Sequence, residues 1–189
     1  MLPLKASSNH LFISIVLIAT MFVYSCSSTK EEEEKSEGIK KELVFKGYHY
    51  ALDTILKKKE GIIHGVELGN KLNDVKAKEP KKPDEMDVEY CLYNYKIDST
   101  SAYSVAYSFI GDSLDEIEVQ INTMSLDKGA EILNSLKKYY TTKYTAPLMD
   151  KGVYVFNCFD SKKRNFTISI SDNSTTETGV ITVFIYREK

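Results

Sequence analysis

The sequence lacks tryptophan, has only three histidines and three cysteines, and contains no apolar run long enough to cross a bilayer. Its main apolar run, Leu11 to Val23, has 13 residues, whereas a membrane-spanning helix needs about 20. His49 and His64 have no Cys, Asp or His neighbour at the spacing of metal ligands, and His10 lies in the leader described below. The sequence therefore predicts neither a transmembrane helix nor a zinc site.

Motifs for catalysis and for nucleic-acid binding are also missing. There is no Gly-x-Ser-x-Gly nucleophile motif and no glycine-rich phosphate loop. The formal net charge is −2, and the Lys57–Lys59 run is interpreted as the exposed end of a helix. Glu116 and Glu118 alternate with apolar residues, so they are expected on a solvated strand face rather than as paired acid and base. We expect a protein that is not an enzyme, uses no cofactor and binds no nucleic acid.

The N-terminus has the pattern of a secretory signal peptide, with a charged start at Lys5, a short apolar core and a small residue before a cysteine. The stretch Val23-Tyr24-Ser25-Cys26 resembles the lipobox of bacterial lipoproteins, with Val and Tyr as departures at its first two positions. The resemblance implies that residues 1–25 are removed and that the Cys26 thiol carries diacylglycerol. Several acyl chains would hold the protein firmly in a lipid bilayer.

Residues 26–38 are predicted to be an acidic, flexible tether, because Ser27–Gly38 contains five glutamates, two lysines and almost nothing to bury. An acidic stretch just after a lipidated cysteine also resembles the export signal of surface-exposed lipoproteins in one group of Gram-negative bacteria. A simple spacer is the alternative. The expected location is the outer membrane, with the domain on its periplasmic or cell-surface face.

The remaining residues, 39–189, read as one domain with an internal repeat at an offset of 64. Apolar positions recur at this offset: Ile117, Val119 and Ile121 as Ile181, Val183 and Ile185; Tyr90 and Leu92 as Tyr154 and Phe156; Gly65, Leu72 and Pro83 as Gly129, Leu136 and Pro147. We predict an α+β fold with two layers, an antiparallel sheet of about six strands and helices packed on one face. Two α-βββ units in tandem, about 61–123 and 125–187, would build it.

Local patterns predict the elements. An additional helix is expected from Ile39 to about Lys58, although Leu43 could instead begin a strand. Further helices are expected at 70–78 and after a Ser125 cap. The buried stripe of the latter helix is expected to contain Leu126, Ala130, Leu133, Leu136 or Lys137, and Tyr140. The predicted strands are 88–97, 102–109, 114–123, 152–160, 164–171 and 178–187. The last strand is apolar on both faces, which favours a central position.

Strand alternation places the two remaining cysteines, Cys91 and Cys158, on opposite faces of the sheet. A disulfide needs Cβ atoms within about 4.5 Å, so two free thiols are predicted. A bridge is the alternative, because exported proteins can form disulfides.

The stretch "GVELGNKLNDVKAKE", Gly65 to Glu79, resembles the opening of small outer-membrane assembly lipoproteins and of β-lactamase-inhibitor-protein-like domains. Both are tandem units of helices followed by an antiparallel sheet, and the resemblance implies a protein-binding or scaffold role without a cofactor. The partner is expected to be an envelope or surface protein, contacted through the open sheet face or the 78–87 loop.

Two alternatives to a protein-binding role remain open. The first is a small-ligand, lipid-like carrier whose cup is lined by Tyr93, Tyr95, Tyr103 and Tyr107. The second is a hydrolase whose site the sequence does not reveal.

Three short motifs resemble the Asp-Ser/Thr-apolar sequon for O-glycosylation in exported proteins of the same bacterial group. They predict modification at Thr54, Ser99 and Ser113, within Asp53-Thr54-Ile55, Asp98-Ser99-Thr100 and Asp112-Ser113-Leu114. The alternative is that these residues serve as ordinary turns and caps.

Overall fold

The computed structural model describes residues 43–187. The predicted signal peptide, Cys26 and the tether at 26–38 lie outside this range. Within it, no helix is both long enough and apolar enough to cross a membrane.

The domain is built on one antiparallel sheet of eight strands in the order β1-β2-β3-β4-β8-β7-β6-β5. The strands are β1 (Glu85–Met86), β2 (Tyr90–Lys96), β3 (Ser101–Ile110), β4 (Ser113–Thr123), β5 (Leu148–Asp150), β6 (Val153–Phe159), β7 (Asn165–Asp172) and β8 (Gly179–Tyr186). The helices are α1 (Ala51–Ile55), α2 (Leu72–Lys78) and α3 (Leu126–Lys143).

The predicted fold class is wrong. The sheet has eight strands rather than about six, and with 5, 7 and 18 residues in its helices the fold is β-rich rather than a two-layer α+β fold. The two strands that the sequence did not reveal, β1 and β5, have two and three residues. A strand this short has no room for the alternation of apolar and polar residues that identifies longer strands.

Each half of the sheet is a meander of four strands preceded by a helix, so the repeating unit has one strand more than predicted. The halves meet at the centre, where β4 pairs with β8 and aligns Ile117 with Ile185 and Val119 with Val183. The central position predicted for the last strand is confirmed.

Residues of β4 correspond to residues of β8 that lie 64 positions later in the chain. For the strands before them the offset is 65, as shown by Cys91 in β2 and Phe156 in β6, which both face the core. The β3–β4 hairpin contains a register shift at Ser108/Phe109, which accommodates one extra residue in the first half. Tyr90 and Tyr154, equated at offset 64, therefore lie on opposite faces of the sheet.

The predicted placement of the two cysteines on opposite faces is also wrong. Cys91 and Cys158 are both buried on the face that the helices cover, and both thiols are free. Distance separates them, because β2 and β6 are five strand spacings apart, or roughly 24 Å.

Alternate residues of the long strands form the core with α3 and the irregular segments around α1 and α2. Ser125 caps α3, as predicted, by accepting a hydrogen bond from the Lys128 N–H at 3.3 Å. Leu133, Leu136 and Tyr140 of the predicted stripe are buried, whereas Leu126 and Ala130 are exposed. The residues of α3 that are buried are Gly129, Ile132, Leu133, Leu136, Tyr139 and Tyr140.

The helix predicted from Ile39 to Lys58 is reduced to α1 within the described residues, and no strand begins at Leu43. Positive φ angles at Gly47 (84°) and Lys57 (59°) break regular helix on either side of α1. The segment before α1 is held instead by Asp53, whose Oδ1 accepts hydrogen bonds from the N–H groups of Val44 and Phe45. The predicted 70–78 helix is confirmed as α2.

Candidate functional site

The most unusual group in the core is the carboxylate of Glu79, whose side chain is completely buried. Glu79 is the C-cap of α2 and has an extended ψ of 138°. Pro80 follows it, and a residue before proline is disfavoured in helical geometry. The turn out of the helix directs the carboxylate into the core instead of leaving it on the helix surface.

Three side chains donate hydrogen bonds to this carboxylate. His64 Nδ1 lies 2.6 Å from Oε1, the Tyr107 hydroxyl lies 2.5 Å from Oε1, and the Tyr95 hydroxyl donates to Oε2. Lys57 Nζ lies 3.7 Å from Oε2. Burial alone would raise the pKa of Glu79, but His64, Tyr107 and Tyr95 together outweigh it and lower the pKa to about 2.

His64 occupies a tight loop after α1, where its φ of 53° is rare for a residue with a side chain. Nδ1 of His64 donates to Glu79, and Nε2 on the other side of the ring lies 3.1 Å from the Tyr103 hydroxyl oxygen. That hydroxyl also lies 2.7 Å from the Thr54 carbonyl, to which it donates. Burial lowers the pKa of His64 and outweighs the hydrogen bond and charge of Glu79, which act in the opposite direction.

The network connects α1, the loop after it, the end of α2 and strands β2 and β3. Only two of its members reach solvent, namely Lys57 and Tyr95, and the Lys57 ammonium covers the Tyr95 ring at 3.8 Å from its centroid. A substrate could contact Glu79 or His64 only if these two side chains moved. The arrangement is therefore suited to holding the loop after α1, which contains Lys57 and His64, on the sheet.

The second half of the domain has no equivalent carboxylate. The residue at offset 65 from Glu79 is Tyr144, the C-cap of α3, and its ring packs edge-on against Phe166 at a centroid distance of 5.6 Å. The internal repeat therefore could not have predicted the network, because the second half has no matching acid. The sequence predicts His64 as an ordinary loop residue and Glu79 only as part of a polar helix end.

The four tyrosines proposed to line a ligand cup pack around this network. Tyr93, Tyr103 and Tyr107 are buried, and half-buried Tyr95 stacks on Tyr103 at a centroid distance of 5.0 Å. Within residues 43–187 they behave as core side chains and do not line an open concavity. The cup that the carrier hypothesis required is thus not found at these positions.

The three predicted O-glycosylation residues differ in accessibility. Ser99 lies exposed in the turn between β2 and β3, Ser113 lies exposed at the start of β4, and Thr54 is half-buried in α1. Asp98, in the second motif, accepts hydrogen bonds from the Tyr50 hydroxyl and Lys128 Nζ at 2.5 and 2.6 Å. Modification at these sites stays a prediction.

The surroundings of the two cysteines and of His49 are those of residues that stabilise the fold. Burial raises the pKa of Cys91 to about 11 and that of Cys158 to about 12, so both thiols are protonated at neutral pH. His49 precedes α1, where its Nδ1 accepts a hydrogen bond from the Ala51 N–H at 3.2 Å. In the described part of the chain, no three His, Cys, Asp or Glu side chains are grouped to hold a metal ion.

The two edges of the sheet differ in chemistry. Edge strand β1 lies in the charged 78–87 loop, where Lys81 and Asp84 form an ion pair at 2.6 Å. Edge strand β5 instead presents Leu148 and Met149, which are 64% and 59% exposed, and Phe159 at the end of β6 is 63% exposed. Charged residues dominate the β1 edge, although Met86 and Val88 are 53% and 82% exposed there, whereas apolar residues dominate the β5 edge.

The sequence contained an unused signal for β5. The turn between β5 and β6 is made by Lys151 and Gly152, with φ angles of 47° and 86°. A two-residue turn with positive φ at both positions is the preferred connection of a tight β-hairpin, and glycine at its second position is typical. The predicted strand begins at Gly152 instead, which leaves Leu148 and Met149 in a loop.

Comparison of the chain with protein-family models, with curated proteins and with solved structures finds no match.

Proposed function

We propose that this protein is a lipid-anchored envelope protein whose domain binds an extended segment of a partner protein along edge strand β5. The observation that carries the binding proposal is the exposed apolar edge formed by Leu148 and Met149. The anchor is proposed from the lipobox-like stretch that ends at Cys26.

An edge strand has unpaired backbone N–H and C=O groups that can pair with another chain. Proteins usually block such pairing with charges, prolines or bulges, and β1 is surrounded by charges in this way. Asp150 is the one charged residue of the three in β5. Phe159 is a further exposed apolar residue, at the far end of the neighbouring strand β6. An added strand would gain backbone hydrogen bonds and bury apolar side chains, which is the usual mode of β-augmentation.

Neighbouring residues of β5 point to opposite faces of the sheet. Leu148 pairs with Val155 on the open face, and Met149 pairs with Tyr154 on the covered face. A partner segment with apolar residues at alternate positions would contact one of these side chains on each face. An extended segment of this pattern is therefore the chemistry that we expect in the partner.

A binding role is favoured over catalysis because the best-organised titratable cluster is closed to solvent. Glu79 and His64 are buried beneath Lys57 and Tyr95, and each donor of the cluster has a partner that holds a loop or strand in place. This geometry supports a rigid scaffold that presents the sheet edge.

Site-specific photocrosslinking in the native envelope tests the binding proposal. A photoreactive side chain replacing Met149 should crosslink to a defined protein, whereas the same side chain replacing Met86 on the charged edge should not, although Met86 is 53% exposed. Leu148→Lys should abolish the Met149 crosslink, because the added charge would be desolvated by a docked strand. Equal crosslinking from both edges, or an unchanged crosslink in the Leu148→Lys protein, would refute the β5 site.

The anchor is tested by mass spectrometry of the mature protein. The N-terminal peptide should begin at Cys26 and carry the mass of diacylglycerol, and Cys26→Ala should release the protein from the membrane fraction. An unmodified cysteine would remove the anchor from the proposal and leave the β5 experiment unaffected.

A further inference from the structure

An open groove of about 810 Å³ lies beside the start of the described chain. Its walls come from the segment before α1, the loop after α1 and the last turns of α3. Phe45 and Tyr48 both meet Tyr139 edge-on, at centroid distances of 5.3 and 5.9 Å, so the floor is aromatic. Leu43 and Val44 are exposed at the rim.

The walls of the groove are fixed by buried and half-buried polar groups. Asp53 holds the backbone N–H groups of Val44 and Phe45. On the other side, Lys143 Nζ donates to the carbonyls of Lys59 and Gly61 at 2.9 and 2.5 Å. The shape of the groove is therefore built into the fold.

The rim of the groove is basic. Lys58 and Lys59 are exposed, and their ammonium groups have no hydrogen-bond or ion-pair partner among residues 43–187, while Lys46 adds a further exposed positive charge. Glu60 is the acidic residue of the lining. The side chains of Lys57 and Lys143 are committed to the interior, to Glu79 and to backbone carbonyls, so they shape the groove instead of presenting charge.

We propose that this groove and its lysine rim dock onto anionic lipid headgroups at the surface of a bilayer. Exposed lysines beside exposed aliphatic side chains suit a lipid surface, where anionic headgroups lie above an apolar layer. The position in the chain agrees, because Leu43 follows the proposed anchor Cys26 by only 17 residues. The inference rests on the proposed lipid anchor, which would keep this face close to the bilayer.

Vesicle flotation with residues 27–189 tests the groove without any lipid anchor, because Lys41–Lys189 form a compact unit of their own. The protein should bind vesicles containing phosphatidylglycerol and should not bind vesicles of phosphatidylcholine alone. Lys58→Gln with Lys59→Gln should weaken binding about fivefold for each lysine, hence roughly 25-fold for the pair. The matched control is Lys162→Gln with Lys163→Gln, an adjacent exposed pair in the β6–β7 turn, which should leave binding unchanged.

Three results would overturn the inference: binding to both kinds of vesicle alike or to neither, an equal loss in the control pair, or full displacement by millimolar inorganic phosphate, which would indicate a small anion pocket. Far-ultraviolet circular dichroism confirms that both double variants are folded. Because the protein used here carries no acyl chain, a negative result refutes the groove while the mass spectrum of Cys26 and the β5 crosslink still decide the proposed function.

Discussion

At the scale of single residues, the buried Glu79 carboxylate carries a large desolvation cost, and its surroundings compensate for that cost. An unpaired buried charge is strongly unfavourable, whereas a carboxylate that accepts several hydrogen bonds stays ionised. His64, Tyr107 and Tyr95 supply those hydrogen bonds. Of the four tyrosines that the sequence suggested as a ligand cup, Tyr95 and Tyr107 are thus partners of this acid, and Tyr103 contacts it through His64.

Glu79→Gln should lower the free energy of unfolding by about 2–4 kcal/mol, because the amide NH₂ would face hydroxyl donors and Lys57 would lose its counter-charge. Urea denaturation at neutral pH measures this loss. Glu116→Gln, on the open face of β4, is the matched control and should change stability by less than about 0.5 kcal/mol. Similar stability in the two variants would show that the network does not hold the loop.

At the scale of elements, α3 packs closely on the start of β8 where Gly129 of the helix meets Gly179 of the strand. A Cβ added at Gly179 would lie 2.5 Å from Thr123 Oγ1 and 3.1 Å from the Gly129 Cα. Neither neighbour can move easily, because Thr123 Oγ1 donates to the Ser125 carbonyl at 2.7 Å and Gly129 is backbone in the helix. The cap of α3 and its approach to the sheet therefore depend on the absence of a side chain at Gly179.

Gly179→Ala should destabilise the domain by about 1–3 kcal/mol through this clash, which lowers the thermal unfolding midpoint. Asn134→Ala, at an exposed position of α3, is the comparison and should have little effect. A Gly179→Ala protein that melts at the wild-type temperature would contradict the close packing of α3 on β8.

The same scale shows what sequence patterns can detect. The six long strands have alternating or continuous apolar residues over seven or more positions, and each was predicted near its observed place. Strands β1 and β5 were missed because pairing with their neighbours, and not any pattern of their own, makes them strands. The helix predicted from Ile39 to about Lys58 is shortened to α1 in the described residues, since Asp53 holds the Val44 segment in an irregular conformation.

At the scale of the whole molecule, contacts distant in sequence join the two halves. Leu68, in the loop before α2, accepts hydrogen bonds at its carbonyl from Arg164 and Arg187, at 3.3 and 3.0 Å. Asp160, whose side chain is 1% exposed, pairs with both arginines. These contacts attach the loop before α2 to the β6–β7 turn and to the residue after β8. They add to the β4–β8 pairing that joins the two halves.

Global stability should fall as the pH is lowered. The pKa of His64 is below its ordinary value of 6.5, and the pKa of His49 is lowered by burial as well. The unfolded chain therefore takes up these protons first, and stability is lost as the pH falls below 6.5. Glu79 adds a second loss below its ordinary pKa of 4.5, because its folded pKa is about 2.

Urea midpoints measured from neutral pH into acid check this expectation. His64→Gln should make the dependence just below pH 6.5 shallower, and His49→Gln should remove part of what remains. A wild-type midpoint that rises on acidification would mean that the buried His64 is protonated more readily in the folded protein than in the unfolded chain.

The sequence by itself determined the short apolar run that comes before Cys26, the internal repeat, and the six long strands with β8 at the centre. These features are visible because apolar periodicity and composition are local properties that a single segment carries. Only the tertiary structure decided the burial of Glu79 with His64, the shared face of Cys91 and Cys158, and the contrast between the charged and apolar edges. Each of these depends on register and on contacts between segments far apart in the chain, where one extra residue in a hairpin reverses which side chains face the core.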